Sequence, residues 1–255
     1  MIPSPIHRVL STIRTHEVRA LLMGGQACIL YGAAEFSRDA DLAILATPEN
    51  LARLSGALDA LDAHVTAVPP FEAQYLDRGH AVHFRCERDD VRGLRVDIMS
   101  RMRGVDSFDQ LWDRRTTLSV ADDEGGALTV DVLALPDLVA AKKTQRDKDW
   151  PMIRRLVEAS YFANRDTASS EQVQFWLGEL RTAELLIECT VLFPAEARSR
   201  AAGREVIAAA MRADVPATQA ALDTEQARER ELDRAYWAPL RAELELLRRN
   251  RGGGP

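Results

Sequence analysis

Three aspartates stand where their spacing could hold a divalent cation. Asp39 and Asp41 lie two residues apart at the start of the apolar run Asp41–Leu45. In a β-strand, side chains two apart project from one face, so both carboxylates would stand together. Unpaired, they repel, and one is driven toward protonation. A divalent cation removes that cost, and hard oxygen donors suit Mg²⁺ or Mn²⁺, above all when phosphates complete the shell. Asp97, flanked by Val96 and Ile98 within Leu94–Met99, is the third candidate, a carboxylate set opposite an apolar strand face. If its strand neighbours that of Asp39 and Asp41, the three converge as metal ligands and catalytic groups, as two-metal phosphoryl transfer requires.

Other residues suit the anion that such a site would act on. The apolar run Val18–Met23 reads as a buried strand ending at Gly24-Gly25, with a helix over 26–34. Glycines let the backbone approach a ligand closely, and N–H groups at a helix start favour phosphate. Of 33 basic residues only Lys142, Lys143 and Lys148 are lysines, and they cluster within seven residues. Where arginine is habitual, such a cluster singles out the compact ammonium. A helix opening at Pro136-Asp137 is expected to carry them, with Lys142, Arg146 and Asp149 sharing a face and Asp149 orienting a lysine or the acceptor. Pro151 limits how far that helix runs straight. Each feature alone is ordinary: a plain turn, a helix cap, a solvated charge run. Their combination is specific.

Gly24-Gly25, Tyr31-Gly32, Ser37, Asp39-x-Asp41 and Val96-Asp97-Ile98 together resemble the DNA polymerase β-type nucleotidyltransferase superfamily. Within it, the chain is most similar to the small AbiEii/AbiGii-toxin-like nucleotidyltransferases. Residues 138–149 resemble their downstream helix, which carries a Lys and then a Lys-Asp pair, and the resemblance spans roughly 18–160. It implies transfer of a nucleoside monophosphate from an NTP to a hydroxyl on tRNA or other RNA, a protein or a small molecule, dependent on Mg²⁺ or Mn²⁺. It implies that Asp39, Asp41 and Asp97 are the catalytic residues and metal ligands, with Asp97 the base toward the acceptor hydroxyl. Gly24, Gly25, Ser37, Arg38, Lys142, Lys143 and Asp149 would bind the nucleotide. A toxin–antitoxin setting, with an antitoxin or a second copy as partner, is also implied. The chain departs from the pattern at Glu35, where the family has a basic residue, and Arg38 lies on the other side of Ser37. Glu35 motivates the alternative: a nucleotide- or partner-binding protein on the same fold without turnover.

Length and composition bound the rest. The chain has 255 residues, 46% hydrophobic and 28% charged, enough for a core and a second domain. A net charge of −6 excludes a general nucleic-acid sponge and leaves room for a local basic site. Cys28, Cys86 and Cys189 form no C-x-x-C pair, which argues against a disulfide framework or zinc ribbon and for a reducing, cytoplasmic setting. His80 and His83 are three apart, so a strand would turn them to opposite faces, a poor start for a zinc site. Residues 1–18 hold no continuous apolar run, so no signal peptide is expected, and the most apolar stretch, Leu185–Phe193, contains Glu188 and is too short to span a bilayer.

The expected elements are a helix over 4–16, an amphipathic helix over 48–61, and strands near Val65, over 81–86 and over 94–99. The last two strands are joined through Asp89–Gly93. A strand pair over 117–120 and 128–133 turns at 122–126. From about residue 150 the texture becomes rich in Ala, Glu, Leu and Arg, with helices expected over 172–192, 195–213 and 218–249, punctuated by Pro194 and Pro216. The expected class is α+β: a small mixed nucleotidyltransferase sheet with flanking helices, followed by an all-helical C-terminal domain. The expected boundaries are 1–160, 161–250 and a disordered tail, 251–255.

Overall fold

Period-two alternation of apolar residues builds the sheet. The computed structural model describes residues 4–34, 36–121 and 126–252. Among them are seven strands: β1 (Ala20–Met23), β2 (Asp39–Ile44), β3 (Ala63–Val65), β4 (Val82–Cys86), β5 (Arg95–Met99), β6 (Thr116–Ala121) and β7 (Ala127–Val132). They form one sheet in the order β3-β4-β5-β2-β1-β7-β6. The β2–β5 and β1–β7 pairs are parallel and the rest antiparallel. The class is therefore α+β with a mixed sheet. Glu35, the expected turn residues 122–125 and the tail residues 253–255 lie outside the described residues.

One face of the sheet is apolar. Leu22, Ala40, Leu42, Phe84, Val96 and Ile98 are buried there. Helix α1 (Ser4–Thr15) contributes buried Ile6, Val9, Leu10 and Ile13, and α3 (Pro48–Ala60) packs beside it; α2 (Gly24–Leu30) follows β1. Helix α3 starts with Thr47 as N-cap and Pro48 in the first turn. Asn50, buried, accepts from Arg19 N (2.7 Å) and donates to Arg19 O (3.1 Å) and Leu45 O (2.8 Å). It thus pins the start of β1 to the end of β2. Two short helices that the sequence reading did not anticipate, α4 (Ala73–Arg78) and α5 (Phe108–Asp113), complete this region with α6 (Leu135–Ala141). Tyr31 donates its O–H to Leu133 O (2.8 Å) and lies 2.9 Å from Thr116 Oγ1, so the Tyr31-Gly32 pair fastens α2 to β6 and β7.

The chain divides into two compact units. The first holds the described residues of Met1–Ala141 and Tyr236–Pro255, the second Lys142–Ala235. The remaining helices are α7 (Asp149–Asn164), α8 (Ser170–Glu179), α9 (Ala183–Leu192), α10 (Pro194–Ala201), α11 (Val206–Ala210) and α12 (Val215–Gly252).

The structure corrects three helical expectations. The helix opening at Leu135 stops at Ala141, so Lys142 and Lys143 head a loop rather than a helix face. The cause is local: Thr144 Oγ1 donates to Asp149 Oδ2 (2.6 Å) and accepts from Arg146 N (3.1 Å), which competes with helical hydrogen bonding. Pro151 falls in the first turn of α7, where its missing N–H costs nothing. The helix expected over 172–192 breaks at 180–182, between α8 and α9. The helix expected over 195–213 breaks around Arg204, between α10 and α11. At both breaks a buried ionic cluster outweighs helix propensity. Arg181 pairs with Glu179 (3.3 Å) and Glu225 (2.8 Å), and Arg204 pairs with Glu225 (2.8 Å) while donating to Leu177 O (2.7 Å). Burial pulls Arg204 below the usual guanidinium range, against the hydrogen bond it donates to Glu225. No helix among the described residues is long and apolar enough to cross a membrane.

Candidate active site

Strand register brings the aspartates together in the first unit. Asp39 and Asp41 both lie within β2, two residues apart on the face opposite the apolar one. Across the parallel β2–β5 pair, Asp41 faces Asp97 and Asp39 faces Arg95. Across the antiparallel β4–β5 pair, His83 faces Asp97. Paired residues share a sheet face, so three carboxylates, Arg95 and His83 occupy one patch.

Asp97 is 8% exposed, and its carboxylate is fully engaged. Oδ1 accepts from His83 Nδ1 (2.8 Å) and Arg95 Nε (2.7 Å), while Oδ2 accepts from the other end of the guanidinium. Burial pushes this carboxyl up, but the hydrogen bonds from His83 and Arg95 prevail and hold it below the usual carboxylate range. The hydrogen bond to Asp97 raises Arg95 in turn, and the fields of Asp39 and Asp41 add to it. Asp39 makes no side-chain hydrogen bond or ion pair with a described residue.

The glycine pair is explained by what closes over it. Gly24 has φ +66°, and a Cβ there would overlap the Asp41 carboxylate. A Cβ on Gly25 would stand 2.5 Å from Ser37 Oγ. Gly25 N points at Asp41 Oδ2 at 3.4 Å. Gln26, fully buried, donates from Nε2 to Ser37 O (2.9 Å) and so fixes the loop that carries the serine. Arg38 is exposed, with its guanidinium 5.5 Å from the centre of the Phe36 ring. Gly24, Gly25, Ser37 and Asp41 therefore form one close-packed cradle, in which a larger residue at either glycine would force the Asp41 or Ser37 side chain to move.

The donor set suits a divalent cation in its chemistry and charge. Three carboxylates against one guanidinium leave two negative charges for such an ion to balance. The side chains are not gathered as a cage: among the described residues, no group of three or more His, Cys, Asp or Glu side chains is placed to hold a metal ion. The reason is visible at Asp97, both of whose oxygens are taken by Arg95.

Lys142, Lys143 and Asp149 belong to the second unit, where they form their own cluster. Lys142 Nζ lies 3.6 Å from Asp149 Oδ1, and Lys143 Nζ lies 2.6 Å from Glu179 Oε1. Asp149, buried, also accepts from Thr144 and from Arg146 Nε (2.8 Å). Both lysine side chains are largely buried, 12% and 16% exposed, and engaged in ion pairs.

Sequence reasoning missed Arg95, His83 and Gln26. Arg95 carried a readable signal, since it lies two residues before Asp97 on the same strand face. His83 did not, because its place depends on the β4–β5 register.

No family model matches the chain, and no curated protein matches it. Among solved structures it is similar to the solution structure of the antibiotic-resistance factor ANT(2'')-Ia. The identity is 13% and the TM-score 0.34, over 79% of this chain and 93% of that one. A crystal structure of ANT(2'')-Ia in complex with adenylyl-2''-tobramycin is similar at 13% identity and TM-score 0.33, over 76% and 95%.

Proposed function

We propose that the protein is a metal-dependent nucleotidyltransferase that moves a nucleoside monophosphate from an NTP onto a hydroxyl and releases pyrophosphate. One observation carries this reading: Asp39, Asp41 and Asp97 share one sheet face by register, beside a glycine cradle closed by Asp41 and Ser37. Asp39, Asp41 and Asp97 would hold Mg²⁺ or Mn²⁺, which when bound neutralises phosphate charge and acts as a Lewis acid. Gly24, Gly25 and Ser37 cradle phosphate oxygens, and Arg38 supplies an exposed cation beside them. The acceptor oxygen forms a bond to the α-phosphorus as the α–β bridging bond breaks, and Asp97 takes the hydroxyl proton.

The test uses α-labelled NTPs with Mg²⁺ and Mn²⁺ and cell lysate as acceptor, beside an Asp39→Ala/Asp41→Ala control. Label moving onto a macromolecule, and lost in the control, supports the reading. The engagement of Asp97 by Arg95 favours a second reading, a nucleotide-binding protein without turnover. It predicts metal-dependent NTP binding with no transfer to any acceptor. The family resemblance extends the proposal to a toxin–antitoxin setting. Co-purification of an antitoxin from the native host tests that, and the mass of the purified chain tests a second copy.

A further inference from the structure

A cavity lies at the far end of β1 from the glycine cradle. Its volume is about 440 Å³, within the range of about 300–1,000 Å³ that small-molecule sites occupy. It shares no residue with the carboxylate site, and every residue lining it belongs to the first unit. β1 begins only at Ala20 and meets β7 at Leu22 and Val132, while the parallel β7 starts as far back as Ala127. The β6–β7 pair therefore projects past the start of β1, and the space between it and the end of α1 stays open.

The floor of this cavity is aliphatic: Leu10, Ile13, Leu22, Leu42 and Val130 line it, and all are buried. Its wall carries charge. Arg115 is matched, donating from Nε to Asp131 Oδ1 (2.9 Å). Arg19 is not. Its half-buried guanidinium stands 4.8 Å from the centre of the Trp112 ring and 5.9 Å from that of Phe108, and it makes no ion pair or hydrogen bond with a described residue. Ring contact offsets part of the charge but satisfies none of the five N–H donors. Arg14 and Glu17, both exposed, also lack a side-chain partner among the described residues. Three guanidiniums against two carboxylates leave the cavity one positive charge in excess.

We propose that this cavity binds a small amphipathic carboxylate, with its apolar body on the aliphatic floor and its anionic end on Arg19. A guanidinium offers a carboxylate two parallel hydrogen bonds, and the apolar body displaces water from the floor. Arg14 at the rim adds to the attraction. The site is independent of the nucleotidyltransferase reading and stands whether or not the chain transfers nucleotides.

The experiment is isothermal titration calorimetry of the full chain with octanoate and with naphthoate, each beside its uncharged alcohol, octanol or naphthylmethanol. Arg19→Met keeps an apolar stem against Trp112 and removes the donors. Thr129→Trp fills the cavity from an exposed position on β7. Arg8→Met removes the same charge elsewhere on α1 and serves as control. Thermal melts show which variants are folded, and amide shift changes in nitrogen-labelled wild type locate the ligand without any variant. At least one carboxylate is expected to bind saturably and more tightly than its alcohol, with shifts centred on Arg19, Ala20, Trp112 and Thr129. Arg19→Met weakens that binding by about tenfold or more, as loss of a charge-assisted hydrogen bond predicts, and leaves the alcohol unaffected. Thr129→Trp abolishes binding, and Arg8→Met leaves it unchanged. The two ligands tell an aliphatic body from an aromatic one.

No saturable carboxylate binding, an alcohol that binds as tightly as its carboxylate, or equal affinity in wild type and Arg19→Met overturns the proposal. So does binding that survives in folded Thr129→Trp, or shift changes centred outside the cavity, since either places the ligand elsewhere.

Discussion

Replacing Gly24 with alanine strikes the site through its backbone. Gly24 has φ +66°, and a left-handed conformation costs an L-residue about 1–2 kcal/mol. The new Cβ also overlaps the Asp41 carboxylate and stands 2.6 Å from Asp41 Cβ. Overpacking of this kind adds about 1–3 kcal/mol, for a total of about 2–5 kcal/mol. Gly32 is an internal control, with φ +75° and no atom within 4 Å of its would-be Cβ, so Gly32→Ala carries the backbone cost alone. The assay is urea denaturation followed by circular dichroism, with each substitution also made in an Asp41→Gly background that removes both carboxylate and Cβ. Gly24→Ala is expected to cost more than Gly32→Ala in wild type, by about 1–3 kcal/mol, and about the same in the Asp41→Gly background. Equal costs in wild type, or an excess that survives Asp41→Gly, refute the claim that Asp41 closes over the glycine.

Three further outcomes follow from the geometry. Asn50→Ala removes the three hydrogen bonds that tie Arg19 and Leu45 to α3 beside the β1–β2 ladder, for a loss of about 1–3 kcal/mol in chemical denaturation. A cost near zero contradicts that role. Arg204→Ala leaves Glu225 with Arg181 as its partner but takes the donor from Leu177 O and Leu180 O in the second unit, and costs about 1–3 kcal/mol. Hydrogen exchange should show faster opening across α8, α10 and α11, and unchanged exchange there argues against a structural cluster. Asp97 sits below its unfolded-state value of about 3.9. Its stabilisation is therefore fully present above that pH and lost as pH falls through the lower folded-state value. Below about pH 4, wild type should lose stability more steeply than Asp97→Asn in acid titrations of the unfolding midpoint, and parallel curves contradict the sign.

The site was legible where local rules decide geometry. Strand alternation puts Asp39 and Asp41 on one face, and the flanking Val96 and Ile98 turn Asp97 away from the apolar one. Gly24-Gly25 announces a close approach, although only the fold shows that Asp41 and Ser37 make it. What stayed hidden depends on pairing across long sequence separations. The pairing of Asp97 with His83 and of Arg95 with Arg85 is a matter of register, which neither strand encodes alone. The lysine loop was misread because residues 135–149 carry good helix formers. Thr144 Oγ1 bonds Asp149 and Arg146 N, while Trp150 Nε1 donates to the Thr144 carbonyl, and together these bonds stop the helix. The breaks at 180–182 and around Arg204 arise from buried partners on other helices, Glu225 above all. The separation of α9 from α10 at Pro194 and the start of α12 beside Pro216 were readable, because proline acts locally.

The central claim is transfer of a nucleotide by the aspartate face, and parallel reactions with α-labelled and γ-labelled NTP test it most directly. Both are run with Mg²⁺ or Mn²⁺, cell lysate as acceptor, and wild type beside Asp97→Asn. The predicted result is α-label in the acceptor and an equal amount of γ-label in pyrophosphate, with both lost in Asp97→Asn. Label from the γ-position in the acceptor, free phosphate in place of pyrophosphate, or undiminished transfer by Asp97→Asn would contradict it.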